Sequence, residues 1–200
     1  MDILNINSAS EETIRESFET IASNLISGTK LVINNCRFSF IDIEFYYSTQ
    51  QHIDEYAISI EHCRPKGEFE VHKYGVDISL GNSAEEKGGV LIRGLYDEVK
   101  KKVIPKAQVI RTIYNQFNLG ENHFALIQEK TQWSDIFKSK RMHLGKAEGE
   151  SKERYADTFY RYLAKDKGIF KSYPDKELIL KNSNLSDKEI VDLIGYKLRK

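Results

Sequence analysis

Two carboxylates two residues apart, Asp42 and Glu44, sit among aromatic rings in the run Arg37-Phe38-Ser39-Phe40-Ile41-Asp42-Ile43-Glu44-Phe45-Tyr46-Tyr47. Polar residues alternate there with β-branched or aromatic ones, the period-two signature of a strand. One face would carry Ile41, Ile43 and Phe45, and the other Phe38, Phe40, Asp42, Glu44 and Tyr46. A carboxylate walled by rings loses hydration, which pushes its pKa toward neutrality and suits it to act as a base beside a stacked, flat ligand. The plain alternative is a wet sheet face carrying two surface acids. A second apolar segment, 88–95, holds a single arginine, Arg93. Opposite Glu44 it would keep the carboxylate ionised and orient a water, or simply form an ion pair joining two strands.

The elements that must position these groups are legible in outline. Residues 8–26 predict a helix, with a capping box in Ser8-Ala9-Ser10-Glu11, an apolar stripe of Ile14, Phe18, Ile21, Ala22 and Leu25, and a stop at Gly28. A short strand is expected at 31–33, turned by Asn34-Asn35 into the acidic stretch, and 48–56 reads as a loop or short helix. Pro65-Lys66-Gly67 is a turn, with strand character around Phe69-Glu70-Val71 and over 76–80, broken by Tyr74-Gly75. Residues 97–119 are amphipathic in pieces around Pro105, with Val109, Ile113, Tyr114 and Phe117 at helical spacing. A short helix is expected over 132–137, a strand or tight turn over 141–145, a Lys/Glu/Gly loop over 145–157, a strand over 158–163 and a capped helix over 186–198. Strands and helices do not alternate regularly. That predicts a single α+β domain over 1–200, with a curved, largely antiparallel sheet flanked by helices.

Composition bounds the partners. The 200 residues hold 30 Lys plus Arg against 30 Asp plus Glu, a balance that argues against strong non-specific attraction to nucleic acid. Cys36 and Cys63 make no disulfide framework, so a reducing cytoplasm is expected. The opening Met1-Asp2-Ile3-Leu4-Asn5 lacks the features of a secretory leader, and no apolar run approaches the ~18 residues of a membrane span. His52, His62 and His72 recur every ten residues, which fits no zinc pattern, and neither a metal nor another cofactor is expected. No lysine is placed for Schiff-base chemistry. Arg64, Lys66, Lys73, Arg141 and Lys146 are the basic residues that could meet phosphates, or else ordinary solvated charges.

Three stretches, in order, resemble the alkyladenine (3-methyladenine) DNA glycosylase family, enzymes that flip a damaged purine out of duplex DNA and cut its bond to the sugar. Ile41-Asp42-Ile43-Glu44-Phe45-Tyr46 is similar to the family's hydrophobic-Glu-x-Glu-Ala-Tyr strand. Tyr74-Gly75-Val76 and Ile92-Arg93-Gly94-Leu95 resemble its Tyr-Gly-Met segment and its Leu-Leu-Arg-Ala-Leu strand. Arg141-Met142-His143-Leu144-Gly145, then Phe159-Tyr160-Arg161-Tyr162, resemble its closing Arg-hydrophobic-Gly and Arg-Phe-Tyr segments. The resemblance spans about residues 31–165, with the N-terminal and C-terminal helices outside its motifs.

The resemblance implies that Glu44 activates water, Arg93 holds it, Tyr46 stacks on the extruded base and Tyr74 wedges into the vacated gap. His62 would contact the base, and the family's pocket positions fall on Phe45 and Val71, a ring where the family has Ala and an aliphatic where it has an aromatic. Arg64, Lys73, Arg141 and Lys146 would lie along the DNA backbone. The expected partner is duplex DNA carrying a damaged purine, met by a monomer that needs no cofactor and no membrane.

Overall fold

Strand β2 (Cys36–Ser48) is the spine of the molecule, and its length follows from an unbroken run of β-branched, aromatic and alternating polar residues. In the computed structural model, which describes residues 2–57, 64–83, 85–144 and 154–199, it pairs antiparallel with three strands. Along one edge runs β5 (Lys87–Asp97); along the other lie β1 (Thr29–Ile33), beside Cys36–Ser39, and β9 (Arg161–Ala164), beside Asp42–Glu44. The described sheet continues through β4 (Gly75–Asn82) and β3 (Phe69–His72) beyond β5, and through β7 (Phe124–Gln128) beyond β1. Strand β6 (Lys102–Pro105) joins β5, and β8 (Ile136–Ser139) joins β9. The sheet curls far enough that Phe69 on β3 meets Phe124 on β7, at opposite ends of this order, with ring centroids 4.0 Å apart. The result is an α+β domain built on a curled antiparallel half-barrel.

Helix α1 (Glu11–Gly28) covers one face of β2. Ser10 accepts from the Thr13 amide while Thr13 Oγ1 accepts from the Ser10 amide, so the reciprocal cap falls on Ser10 and Thr13, two residues later than the expected Ser8 and Glu11. Its stripe of Ile14, Phe18, Ile21, Ala22 and Leu25 is fully buried, and Phe18 stacks on Phe45 at 4.5 Å and meets Tyr160 edge-on at 5.1 Å. Rings buried this way each contribute about 1.5–3 kcal/mol. Helix α2 (Lys106–Tyr114) starts at Pro105 and packs Val109 and Ile113 toward β4, β5 and β6. Helices α3 (Lys167–Ser172), α4 (Lys176–Lys181) and α5 (Asp187–Ile194) follow β9; Ser186 caps α5 and Gly195 ends it in the left-handed region.

Several expectations are corrected. Residues 132–137 do not form a helix: Ile136 and Phe137 enter β8, where cross-strand pairing with Leu163 and Ala164 and packing of Phe137 on Phe170 outweigh local preference. The segment 141–144 forms no strand, and His143 takes a positive φ of 58°. Tyr114 and Phe117, spaced like core residues, are exposed. Most of the expected loop over 145–157 lies outside the described residues. Among the described residues no helix is long and apolar enough to cross a membrane.

Candidate active site

Alternation along β2 places Phe45 under α1 and turns Glu44 and Tyr46 to the other face. The wet-face alternative fails: every residue from Phe38 to Phe45 is buried, and Asp42 and Glu44 are both 0% exposed. Arg93 reaches Glu44 because the β2–β5 ladder is irregular at this point. Phe40 pairs with Leu95, Asp42 with Gly94 and Ile43 with Ile92, so Ile41 and Arg93 are each an extra residue in their strand. Such bulges re-aim side chains.

The two acids have different surroundings. Asp42 is saturated: Arg161 donates to it twice, from Nε at 2.9 Å and Nη2 at 2.6 Å, and the Tyr173 hydroxyl donates at 2.7 Å. Glu44 is half satisfied. Its Oε2 accepts from the Tyr46 hydroxyl at 2.8 Å, whereas Oε1 has no hydrogen-bond partner among the described residues and faces Arg93 Nε at 3.5 Å and Arg161 Nη1 at 3.7 Å. Burial first, and the neighbouring Glu44 charge second, push the Tyr46 hydroxyl well above the ordinary phenol range, so it remains a donor. Burial opposes the Arg161 charge, but Asp42 and Glu44 more than offset it and hold the guanidinium protonated. Lys106, at the start of α2, also feels this cluster: burial and then the Arg93 charge lower its pKa.

Other predicted site residues divide clearly. Tyr74 is 47% exposed at the two-residue turn between β3 and β4, with Lys73 beside it and its Nζ 4.8 Å from the ring centre. Val71 is also exposed, on the edge strand β3. Phe45 is not a wall of the Glu44 site, because it stacks on Phe18 beneath α1. Arg64 is tied to β3, 3.7 Å from Glu70. Arg141 is not available to a phosphate. It is wholly buried and donates to both oxygens of Asp54, at 2.6 and 3.2 Å, and to the carbonyls of Phe45 and Tyr155. Its guanidinium lies 4.7 Å from the Tyr46 ring centre and 5.4 Å from those of Tyr56 and Tyr160. His62 and Lys146 lie outside the described residues.

Sequence reasoning missed Arg161, Tyr173 and Lys106 as members of the cluster. Arg161 carried a signal, a lone arginine in an aromatic strand like Arg93; Tyr173 carried none, since its partner lies 131 residues away. Two surface depressions, one lined by Asn24, Gly28 and Glu129 and one by Asn7, Thr49 and Glu86, include none of the cluster residues. Among the described residues no group of three or more His, Cys, Asp or Glu is arranged to hold a metal ion. No family model and no curated protein matches the chain.

Proposed function

We propose that the chain is a DNA glycosylase-like enzyme that hydrolyses the N-glycosidic bond of a damaged purine flipped out of duplex DNA. The observation that carries the reading is the unpartnered Oε1 of Glu44, buried opposite Arg93 Nε at 3.5 Å while Tyr46 occupies the other oxygen. In this reaction a water oxygen bonds to the sugar carbon as its proton passes to Glu44, and the electron pair of the broken bond leaves with the base. An alkylated purine already carries the positive charge that neutralises on departure. The nearby carboxylate stabilises the oxocarbenium-like charge on the sugar. Tyr74, exposed at a hairpin tip with Lys73 beside it, is the residue suited to enter the stack.

The test is base release from duplex oligonucleotides carrying alkylated purines, hypoxanthine or ethenoadenine, by wild type and by Glu44→Gln. Release by wild type that the variant loses is the expected result. Equal release by both removes Glu44 from the mechanism.

The complete burial of Glu44 favours a second reading, a non-catalytic protein of the same architecture that binds a nucleotide, nucleic acid or protein partner. On that reading the cluster only ties β2, β5 and β9 together. Wild type then releases no base from any substrate, and Glu44→Gln alters stability alone.

A further inference from the structure

Arg161 does more than neutralise Asp42. Its Nε and Nη2 grip that carboxylate side-on, which leaves Nη1 turned toward Glu44 Oε1. Three atoms of charged groups therefore converge without a hydrogen-bond partner among the described residues: Glu44 Oε1, Arg93 Nε and Arg161 Nη1. Atoms buried in this condition forfeit the solvation they had in water, so an unfilled arrangement is strongly unfavourable. Separations of 3.5 and 3.7 Å from Oε1 are too long for direct hydrogen bonds, whereas a small partner within hydrogen-bond reach of all three atoms would satisfy them. That partner must accept from two N–H groups and donate to a carboxylate. An anion would be repelled by Glu44 and a cation by the guanidinium groups, whereas a water satisfies all three.

We propose that Arg161 is a second water-binding arginine, holding one water against Glu44 together with Arg93, and that Asp42 and Tyr173 are the residues that position it. The site itself follows from the three unpartnered atoms; its part in a reaction rests on the glycosylase reading. Tyr173 reaches Asp42 from the end of α3 and lies 3.4 Å from the Arg93 carbonyl, so one phenol holds Arg161 through Asp42 and sits beside the Arg93 backbone. Gly94 makes this possible, since a Cβ at that position would collide with the Tyr173 hydroxyl. Tyr173→Phe and Gly94→Ala thus attack the same brace from its two ends. Arg161→Lys keeps a charge beside Asp42 but cannot grip it side-on and reach Glu44 together.

The experiment has a structural and a kinetic arm. Crystal structures that resolve waters should show one within about 3.2 Å of Glu44 Oε1, Arg93 Nε and Arg161 Nη1 in wild type. In Tyr173→Phe that water should be lost or shifted as Nη1 swings away. A dry wild-type site, or an unchanged water and Arg161 in Tyr173→Phe, overturns the proposal whether or not the protein is an enzyme. In single-turnover base release, folded Tyr173→Phe and Gly94→Ala should slow the chemical step by about 10–100-fold. Affinity for the lesion duplex should stay within about 3-fold, which a merely structural role would not predict. Unchanged rates, or weakened binding with an unchanged rate, overturn the positioning role. Wild type that holds the water yet releases no base supports the hydration site and defeats the glycosylase reading.

Discussion

Behind the Tyr46 ring, Arg141 meets both oxygens of Asp54 and two backbone carbonyls; beyond its hydroxyl, Glu44 Oε1 has no hydrogen-bond partner among the described residues and faces Arg93 Nε at 3.5 Å. Both regions are buried and both pair arginine with carboxylate, yet only one is closed. The Arg141 fork is matched to its acceptors, with Nε alone left over, and three tyrosine rings surround the guanidinium. The Glu44 side leaves three polar atoms without a hydrogen-bond partner among the described residues, the two arginine nitrogens lying 3.5 and 3.7 Å from Glu44 Oε1. A buried pair with matched hydrogen bonds resists loss of either partner, because the survivor is left charged and unsolvated. A buried pair held apart keeps its charge available to a third species. The contrast fits an architectural role for the Asp54 cluster and, on the proposed glycosylase reading, a chemical one for the Glu44 cluster.

The largest effect should come from opening the closed side. Asp54→Ala strands the Arg141 guanidinium among tyrosines and should lower unfolding stability by about 3–5 kcal/mol, read from urea denaturation. A loss below about 1 kcal/mol, the range of exposed pairs, would erase the distinction between the two regions. Glu44→Gln should do the converse. Gln still accepts from Tyr46 and Arg161 keeps Asp42, but Arg93 loses the carboxylate it faces at 3.5 Å, so stability should fall by about 1–3 kcal/mol, less than for Asp54→Ala. Base release should fall by about 10²–10⁴-fold, the usual contribution of a positioned base.

Tyr74→Ala probes a residue that belongs to neither cluster. Exposed at its turn, it should leave stability within about 0.5 kcal/mol. Affinity for a lesion duplex should weaken by about 1–3 kcal/mol, the value of one lost aromatic stack, measured by fluorescence anisotropy. Unaltered affinity would remove the hairpin tip from the DNA-binding face.

Local pattern made the open side partly legible and the closed side almost illegible. The strand carrying Glu44 and the helix carrying Phe18 declare themselves through period-two and period-3.6 runs, and a lone arginine in an apolar strand marked Arg93. Phe45 was assigned to the inner face of its strand by alternation, and its partner Phe18 confirms that face, which is why it cannot also line the Glu44 site. Arg141 looked like a surface charge because nothing near it in sequence announces Asp54, 87 residues earlier. Strand β7 and helices α3 and α4 escaped notice: Phe124–Gln128 shows no alternation, and six-residue helices are too short to display a period. Tyr173, which donates to Asp42 in the Glu44 cluster, lies in that unread region.

The two regions should also separate by pH. His52 belongs to the closed side, with Nδ1 donating to the Tyr47 carbonyl at 2.8 Å and Nε2 accepting from the Tyr160 hydroxyl at 2.7 Å. Its ring lies 4.4 Å from that of Tyr155, whose carbonyl accepts from Arg141. Burial is the main reason its pKa is lowered; the Tyr47 carbonyl and the Asp54 charge pull the other way without overcoming it. A histidine held neutral stabilises the fold fully above its ordinary value of about 6.5. That contribution is lost as pH falls through the lowered folded value, because the unfolded chain takes up the proton first. The facing charges include Arg15, which reaches the same Tyr160 hydroxyl at 3.3 Å, as well as Asp54 and Glu11. Denaturation midpoints should therefore decline on the acid side in wild type and decline less steeply in His52→Gln. Parallel acid limbs in the two proteins would mean that His52 titrates normally and that the closed region is less dry than its burial implies.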